Sequence, residues 1–356
     1  MQKFSHFKTI DKIYRKSHPK DDRFNKLRLD KNERLKNFPV NFLKKFKNKI
    51  ETKSFAMYPE LNRSYKLLAW HVNVKVENLV ITSGSDLAIK NCFELLVRKN
   101  SEVITISPTY GMVDAYCKLF QAKQNKINYK KDLKISVIEI LSKINHKTNL
   151  VIIANPNSPT GTILNPADIV KIIIKAKKYK AYVLIDECYH GYYSKTCINL
   201  INKHKNLIVS RSFSKIGLAG CRIGYLISSK KNVERLLKYR PMYEISHISS
   251  LFMNYCIKNY KVINSYFKDI EVSKNYFSRE LKKLNLIVPT SYTNFQLVDF
   301  KNEMIKKKIF KKIKNKKINI TEEKSLSKNH YLRFTLSTKE NMLKPIKIIK
   351  QSLNVK

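Results

Sequence analysis

Between residues 78 and 228 the chain alternates short runs of β-branched and apolar residues with stretches of helical periodicity. The apolar runs are Asn78 to Thr82, Glu102 to Ile106, Asn149 to Ala154, Ala181 to Ile185, Asn206 to Val209 and Gly224 to Ser228. Helical patterns lie between them, at Asp86 to Arg98 and Pro166 to Lys178. The second opens on a proline, whose fixed φ and missing N–H suit a first helical turn. Strand and helix in alternation predict an α/β domain: a mostly parallel central sheet flanked by helices. After about Pro241 the rhythm changes to two or three helices, then short strands near Asn294 to Phe300 and Tyr331 to Leu336. That pattern predicts a smaller α+β C-terminal domain. Within it Ile305, Ile309 and Ile313, four apart beside Phe310, mark one amphipathic helix with a lysine face. No internal repeat or low-complexity linker interrupts the chain. We expect an N-terminal arm and part of the small domain in 1–40, a large domain in 41–245 and a small C-terminal domain in 246–356.

A length of 356 residues is consistent with this two-domain division. The net charge of +44 changes the picture less than its size suggests. Such a charge ordinarily points to a polyanion. Here lysine outnumbers arginine about five to one and is spread from end to end among Asn and Ile, the pattern of a solvated surface, so no specific nucleic acid is expected. No apolar stretch approaches the length of a membrane span, so a cytoplasmic protein without a membrane partner is expected. The six cysteines are scattered, with neither a CxxC pair nor histidines at zinc spacing, which predicts reduced thiols and no metal.

Glycine is scarce, and all seven residues fall between Gly84 and Gly224. In the same region the predicted strands end in polar turns: Ser83-Gly84-Ser85-Asp86, Ser107-Pro108-Thr109-Tyr110, the run Asn155 to Gly161, Asp186-Glu187-Cys188-Tyr189 and Ser212-Phe213-Ser214-Lys215. In an open parallel sheet the ligand crevice lies beyond the carboxyl ends of the strands, so these five turns should converge. One such turn is ordinary loop chemistry; five in order along one sheet predict a site. Asp186 follows a buried strand directly, and a carboxylate there needs a cationic partner or a polar exit.

These turns resemble those of the fold-type-I pyridoxal-phosphate aminotransferases, and within them the histidinol-phosphate aminotransferase-like group. The resemblance runs from Leu27-Arg28-Leu29-Asp30-Lys31-Asn32-Glu33 to Leu332-Arg333-Phe334-Thr335. It implies pyridoxal 5'-phosphate as cofactor, attached covalently to Lys215, whose released amine then moves the substrate's proton. It implies that Asp186 sits against the pyridine nitrogen and that Tyr189 and Asn157, with Ser158 as second choice, meet the phenolic oxygen. Tyr110 would stack on the ring face. The phosphate would be held by backbone N–H groups at Ser85 and Asp86, by Ser212 and Ser214, and by the fork of Arg222. Tyr58 would reach the phosphate of a neighbouring subunit, which implies a homodimer with shared active sites.

Arg333 and Asn32 fall where the family meets its substrate. The chain departs from histidinol-phosphate enzymes in two places. Ile320-Thr321-Glu322 stands where a second arginine is usual, and Asn32-Glu33-Arg34 lacks the usual proline. The implied function is amino transfer between an amino acid donor, glutamate in many relatives, and an oxo-acid or phosphorylated carbonyl acceptor. Two alternatives stay open: a pyridoxal-phosphate decarboxylase or lyase resembling the threonine-phosphate decarboxylases, and a basic nucleic-acid-binding protein on a degenerate scaffold.

Overall fold

The computed structural model describes residues 10, 11, 13, 23–326 and 330–353. Residues 1–9, 12 and 14–22 of the expected 1–40 arm therefore lie outside the described residues. Seven strands form the larger sheet: β2 (Leu79–Thr82), β3 (Glu102–Ser107), β4 (Lys123–Asn128), β5 (Thr148–Ala154), β6 (Tyr182–Asp186), β7 (Leu207–Ser212) and β8 (Gly224–Ser228). Their order is β2-β8-β7-β6-β5-β3-β4, and every pairing is parallel except those of β8, which runs antiparallel to both β2 and β7.

Side chains of β5, β6 and β7 alternate between two cores. Val151, Ile153, Val183, Ile185, Leu207 and Val209 enter one, with Ile169, Ile172 and Ile173 of α6 (Pro166–Lys178). Leu150, Ile152, Leu184 and Ile208 enter the other, with Ile89, Cys92 and Phe93 of α3 (Gly84–Leu96). Two-sided burial explains why these strands read as unbroken apolar runs.

The smaller sheet has the order β1-β10-β11-β9, built from β1 (Leu27–Leu29), β9 (Phe295–Asp299), β10 (Ile318–Glu323) and β11 (Tyr331–Thr335). Its separate core includes Phe277 and Leu281 of α9 (Lys261–Lys282), Ile309 and Ile313 of α10 (Glu303–Asn315), and Ile346 and Ile349 of α11 (Lys339–Ser352). Among the described residues no helix is long and apolar enough to cross a membrane.

Candidate active site

The parallel strands β3, β5, β6 and β7 deliver their polar ends to one edge of the large sheet. The reversed β8 adds to that edge from the other direction, because Arg222 precedes the strand: Ser212, Gly224 and Thr82 are paired in register across β7, β8 and β2. A cavity of about 540 Å³ opens there. Its walls include Ser85, Asp86, Tyr110, Asp186, Tyr189, Ser212, Ser214, Lys215 and Arg222 from the large sheet, and Asn32 and Arg333 from the small one.

Lys215 lies in a widened turn spanning Ser214–Leu218, which Gly217 interrupts at φ +132°, a conformation that glycine tolerates. The Lys215 Nζ donates to the Lys31 carbonyl at 3.0 Å. Burial lowers its pKa, aided by Arg333 and Arg222 and opposed by Cys188 and Glu33. The neutral, nucleophilic amine is thereby favoured. Asp186 is 3% exposed and accepts from Ser210 Oγ at 2.9 Å. Burial pushes its carboxyl up to about 6, with Ser210 and Cys188 pulling the other way. No basic side chain among the described residues forms an ion pair with it.

At the α3 N-terminus, Gly84 adopts φ +81°, and a Cβ there would stand 2.8 Å from Arg222 Nη2. Only glycine lets that guanidinium lie against the start of the helix, where the free N–H groups and helix dipole attract an anion. Arg222 itself has φ +52°, and its Nη1 reaches Ser214 Oγ at 3.5 Å. The Asp86 carboxylate turns aside to accept from Tyr116 Oη at 2.9 Å.

The small sheet closes the opposite wall. Asn32, at φ +55°, accepts from Thr335 Oγ1 through Oδ1, donates its backbone N–H to the same oxygen, and donates Nδ2 to Tyr189 Oη at 2.9 Å. Arg333 makes only long contacts: Nη1 to Ser158 Oγ at 3.3 Å and to Glu323 Oε1 at 3.4 Å, Nη2 to the Asp30 carbonyl at 3.2 Å and to Thr321 Oγ1 at 3.3 Å. Its buried Nε has no hydrogen-bond partner.

Two sequence-selected residues lie elsewhere. Asn157 is fully buried behind the wall: its Oδ1 accepts from Thr109 Oγ1 at 2.8 Å, and its Nδ2 donates to the Pro108 carbonyl and to Thr160 Oγ1. Ser158, the second choice, lines the cavity instead. Tyr58 is 74% exposed and stacks on Tyr243 with ring centroids 4.3 Å apart, outside this cavity. Ile320, Thr321 and Glu322, the stretch where relatives usually carry a second arginine, line the cavity, and Cys188, Asp30 and Lys31 do so without an assigned role. Cys188 sits within the Asp186 turn and could have been inferred; Asp30 and Lys31 depend on how β1 and β10 pair.

The chain belongs to the family Aminotransferase class I and II, whose profile matches residues 24–349. It is a pyridoxal-phosphate-dependent enzyme of that class, and more narrowly histidinol-phosphate aminotransferase-like. It is 28% identical over 334 residues to a histidinol-phosphate aminotransferase of Clostridium novyi, covering 91% of each chain. Identity is 32% to that of Pelagibacter ubique, over 75% of this chain and 76% of that one. The crystal structure of histidinol-phosphate aminotransferase from Sinorhizobium meliloti in complex with pyridoxal-5'-phosphate superposes with a TM-score of 0.85 at 20% identity, covering 99% and 98% of the two chains.

Proposed function

We propose that this aminotransferase moves an amino group from an α-amino acid, glutamate being the first candidate, to an oxo-acid or phosphorylated carbonyl acceptor, and that Arg333 receives the anionic group of each. The observation that carries the reading is that one cavity joins Lys215, Asp186 and Arg333. The residues present fit the cofactor. Asp186 is a buried carboxylate facing the cavity without a cation, and a protonated ring nitrogen would supply one. The Gly84, Ser85, Ser212, Ser214 and Arg222 cradle suits a phosphate. When bound, pyridoxal phosphate supplies a conjugated ring that accepts electron density from the substrate Cα.

The chain's own groups divide the remaining work. Asp186 holds a proton at the ring nitrogen. Tyr189, fixed by Asn32, would present its hydroxyl to the phenolic oxygen, and we assign the second contact there to Ser158, which lines the cavity, rather than to the buried Asn157. Tyr110, which lines the cavity, would stack on the ring face. Lys215, as a neutral amine, takes the proton from the substrate Cα and returns it one position along. Arg333 offers an unpartnered Nε and loosely held Nη atoms to a carboxylate or phosphate. Asn32, beside it, has one amide hydrogen left for substrate.

The homodimer belongs to the same proposal. Tyr58 stands in an exposed apolar patch with Phe55, Met57 and Met242, beside a second cavity that shares Arg222 with the first. Such a patch suits a partner copy, from which Tyr58 would reach the other phosphate. Two sheets with separate cores support a two-domain division with β1 contributed to the small domain by the arm. Met253, Tyr255, Cys256, Ile257 and Ile263 pack into the large-sheet core, so we draw the boundary after Ile263 rather than at residue 245. Six unpaired cysteines suit the reducing cytoplasm.

The test is a visible spectrum of the purified protein, followed by addition of single amino donors. Bleaching by one donor with release of its oxo-acid is expected; carbon dioxide release without an oxo-acid would instead mean a decarboxylase. Arg333→Gln should raise KM for that donor about 10- to 100-fold, the loss of charge-assisted hydrogen bonds. An unchanged KM would remove Arg333 from substrate recognition.

A further inference from the structure

On the reverse face of the large sheet, directly behind the cavity, lies a buried ion pair that the chemistry above does not use. Strand alternation puts it there: Asp186 and Ser210 face the cavity side, so the next residue on each strand, Glu187 and Arg211, faces the other. Arg211 donates Nε and Nη2 to Glu187 Oε2 at 3.0 and 2.9 Å. The Glu187 carboxylate also accepts from Thr196 Oγ1 at 2.8 Å and from the Cys197 backbone N–H at 2.6 Å. The two side chains are 12% and 3% exposed. Tyr225, paired in register with Arg211, packs on this side, with His71, His190 and Tyr260 nearby.

Position within the ladder gives the pair its meaning. The pairing of β6 with β7 ends at Asp186 and Ser210, with one last bond from the Glu187 N–H to the Ser210 carbonyl at 2.8 Å. Beyond that point the two strands part: one becomes the turn bearing Tyr189, the other continues to Ser212, Ser214 and Lys215. Backbone ladder bonding no longer sets their separation there. Two side-chain links cross the gap: the Tyr192 Oη bond to the Lys215 carbonyl at 2.9 Å and, nearer the strand ends, the Glu187 carboxylate, held by Arg211 from β7 and by Thr196 and Cys197 from the far end of the Tyr189 loop. A buried ion pair is a poor device for stability alone, since an apolar pair of similar volume often serves as well.

We propose that the Glu187–Arg211 pair is the positioning element that fixes the distance between the Asp186 carboxylate and the Lys215 amine. It rests on the assignment of those two groups as the cofactor's partners.

The experiment uses the full chain loaded with pyridoxal phosphate and compares Arg211→Met, the double variant Glu187→Gln/Arg211→Met, and Arg211→Lys. Melting temperature, the pH midpoint of the visible cofactor band, and kcat and KM are measured for each. The single Arg211→Met variant strands a buried carboxylate and should melt lower. In the double variant, melting should return towards wild type. The band midpoint should nevertheless stay displaced, and kcat should remain down by about tenfold or more, as expected of a sub-ångström misplacement, with KM nearly unchanged. Arg211→Lys keeps the charge but loses the fork; it should fold normally and show the same displaced midpoint in weaker form. A double variant or Arg211→Lys variant with wild-type midpoint and kcat overturns the proposal. A wild-type chain that takes up the cofactor without any visible band contradicts the Lys215 assignment instead, so the two failures are distinct.

Discussion

Replacing Lys215 with alanine is expected to slow transamination by at least about a thousandfold, because one side chain both attaches the cofactor and carries the substrate's proton. The cavity lining includes one other lysine, Lys31, on the β1 side. Its carbonyl accepts from Lys215, which fixes its backbone in place. Among the described residues no further lysine lines the cavity, so abundance supplies no substitute there. Folding should survive the change. The Lys215 amine forms one hydrogen bond, and the bond that anchors its turn, Tyr192 Oη to the Lys215 carbonyl at 2.9 Å, does not involve the side chain. Removal of a half-buried amine whose charged form is disfavoured by burial should leave the melting temperature within a few degrees of wild type or raise it. The expected result is therefore a folded protein without the visible band of the attached cofactor and without turnover. Turnover within tenfold of wild type would assign the proton transfer to another group.

What could be read in the sequence follows from where the physical signal lies. β5, β6 and β7 announced themselves because both of their faces are buried, and their ends carried the polar turns that meet at the cavity. β4 was missed. Its sequence Lys-Gln-Asn-Lys-Ile-Asn buries only Ile127 fully, because the strand is at the sheet edge and most of its side chains reach solvent. The reversal of β8 was equally hidden: strand direction depends on the connection, and residues 213–223 fold as the Lys215 turn rather than as a crossover helix.

Neighbours on a turn are the hardest case. Nothing in Asn157-Ser158 says which side chain faces the ligand. The answer comes from Thr109 and Pro108, nearly fifty residues earlier, which capture the asparagine amide and leave the serine at the wall. Arg333 was found through its motif, but its surroundings were not, since Asp30 and Thr321 reach it only after β1 pairs with β10 and β10 with β11. The Glu187–Arg211 pair is likewise invisible until the register of β6 and β7 is known.

Asp186→Asn is expected to act in opposite directions on stability and on catalysis. An unfolded aspartate titrates near 3.9, whereas burial raises Asp186 to about 6. Between those values the folded, cofactor-free chain binds more protons than the unfolded chain, so its stability falls as pH rises through that interval and levels off above it. Two pH units correspond to at most about 3 kcal/mol lost by neutral pH. Asparagine carries no charge to desolvate and can still accept from Ser210 through its amide oxygen. In urea unfolding without cofactor, the variant should match wild type more closely at pH 5 and exceed it at pH 8. With cofactor the order should reverse. The amide cannot hold a proton on the ring nitrogen, so cofactor affinity should drop and kcat should fall about a hundred- to a thousandfold, the scale of losing one preorganised electrostatic partner. Equal unfolding curves at both pH values would mean that the chain itself already balances the Asp186 charge. In that case its burial would no longer argue for a cationic ring beside it, and the fit of the cofactor would rest on the phosphate cradle alone.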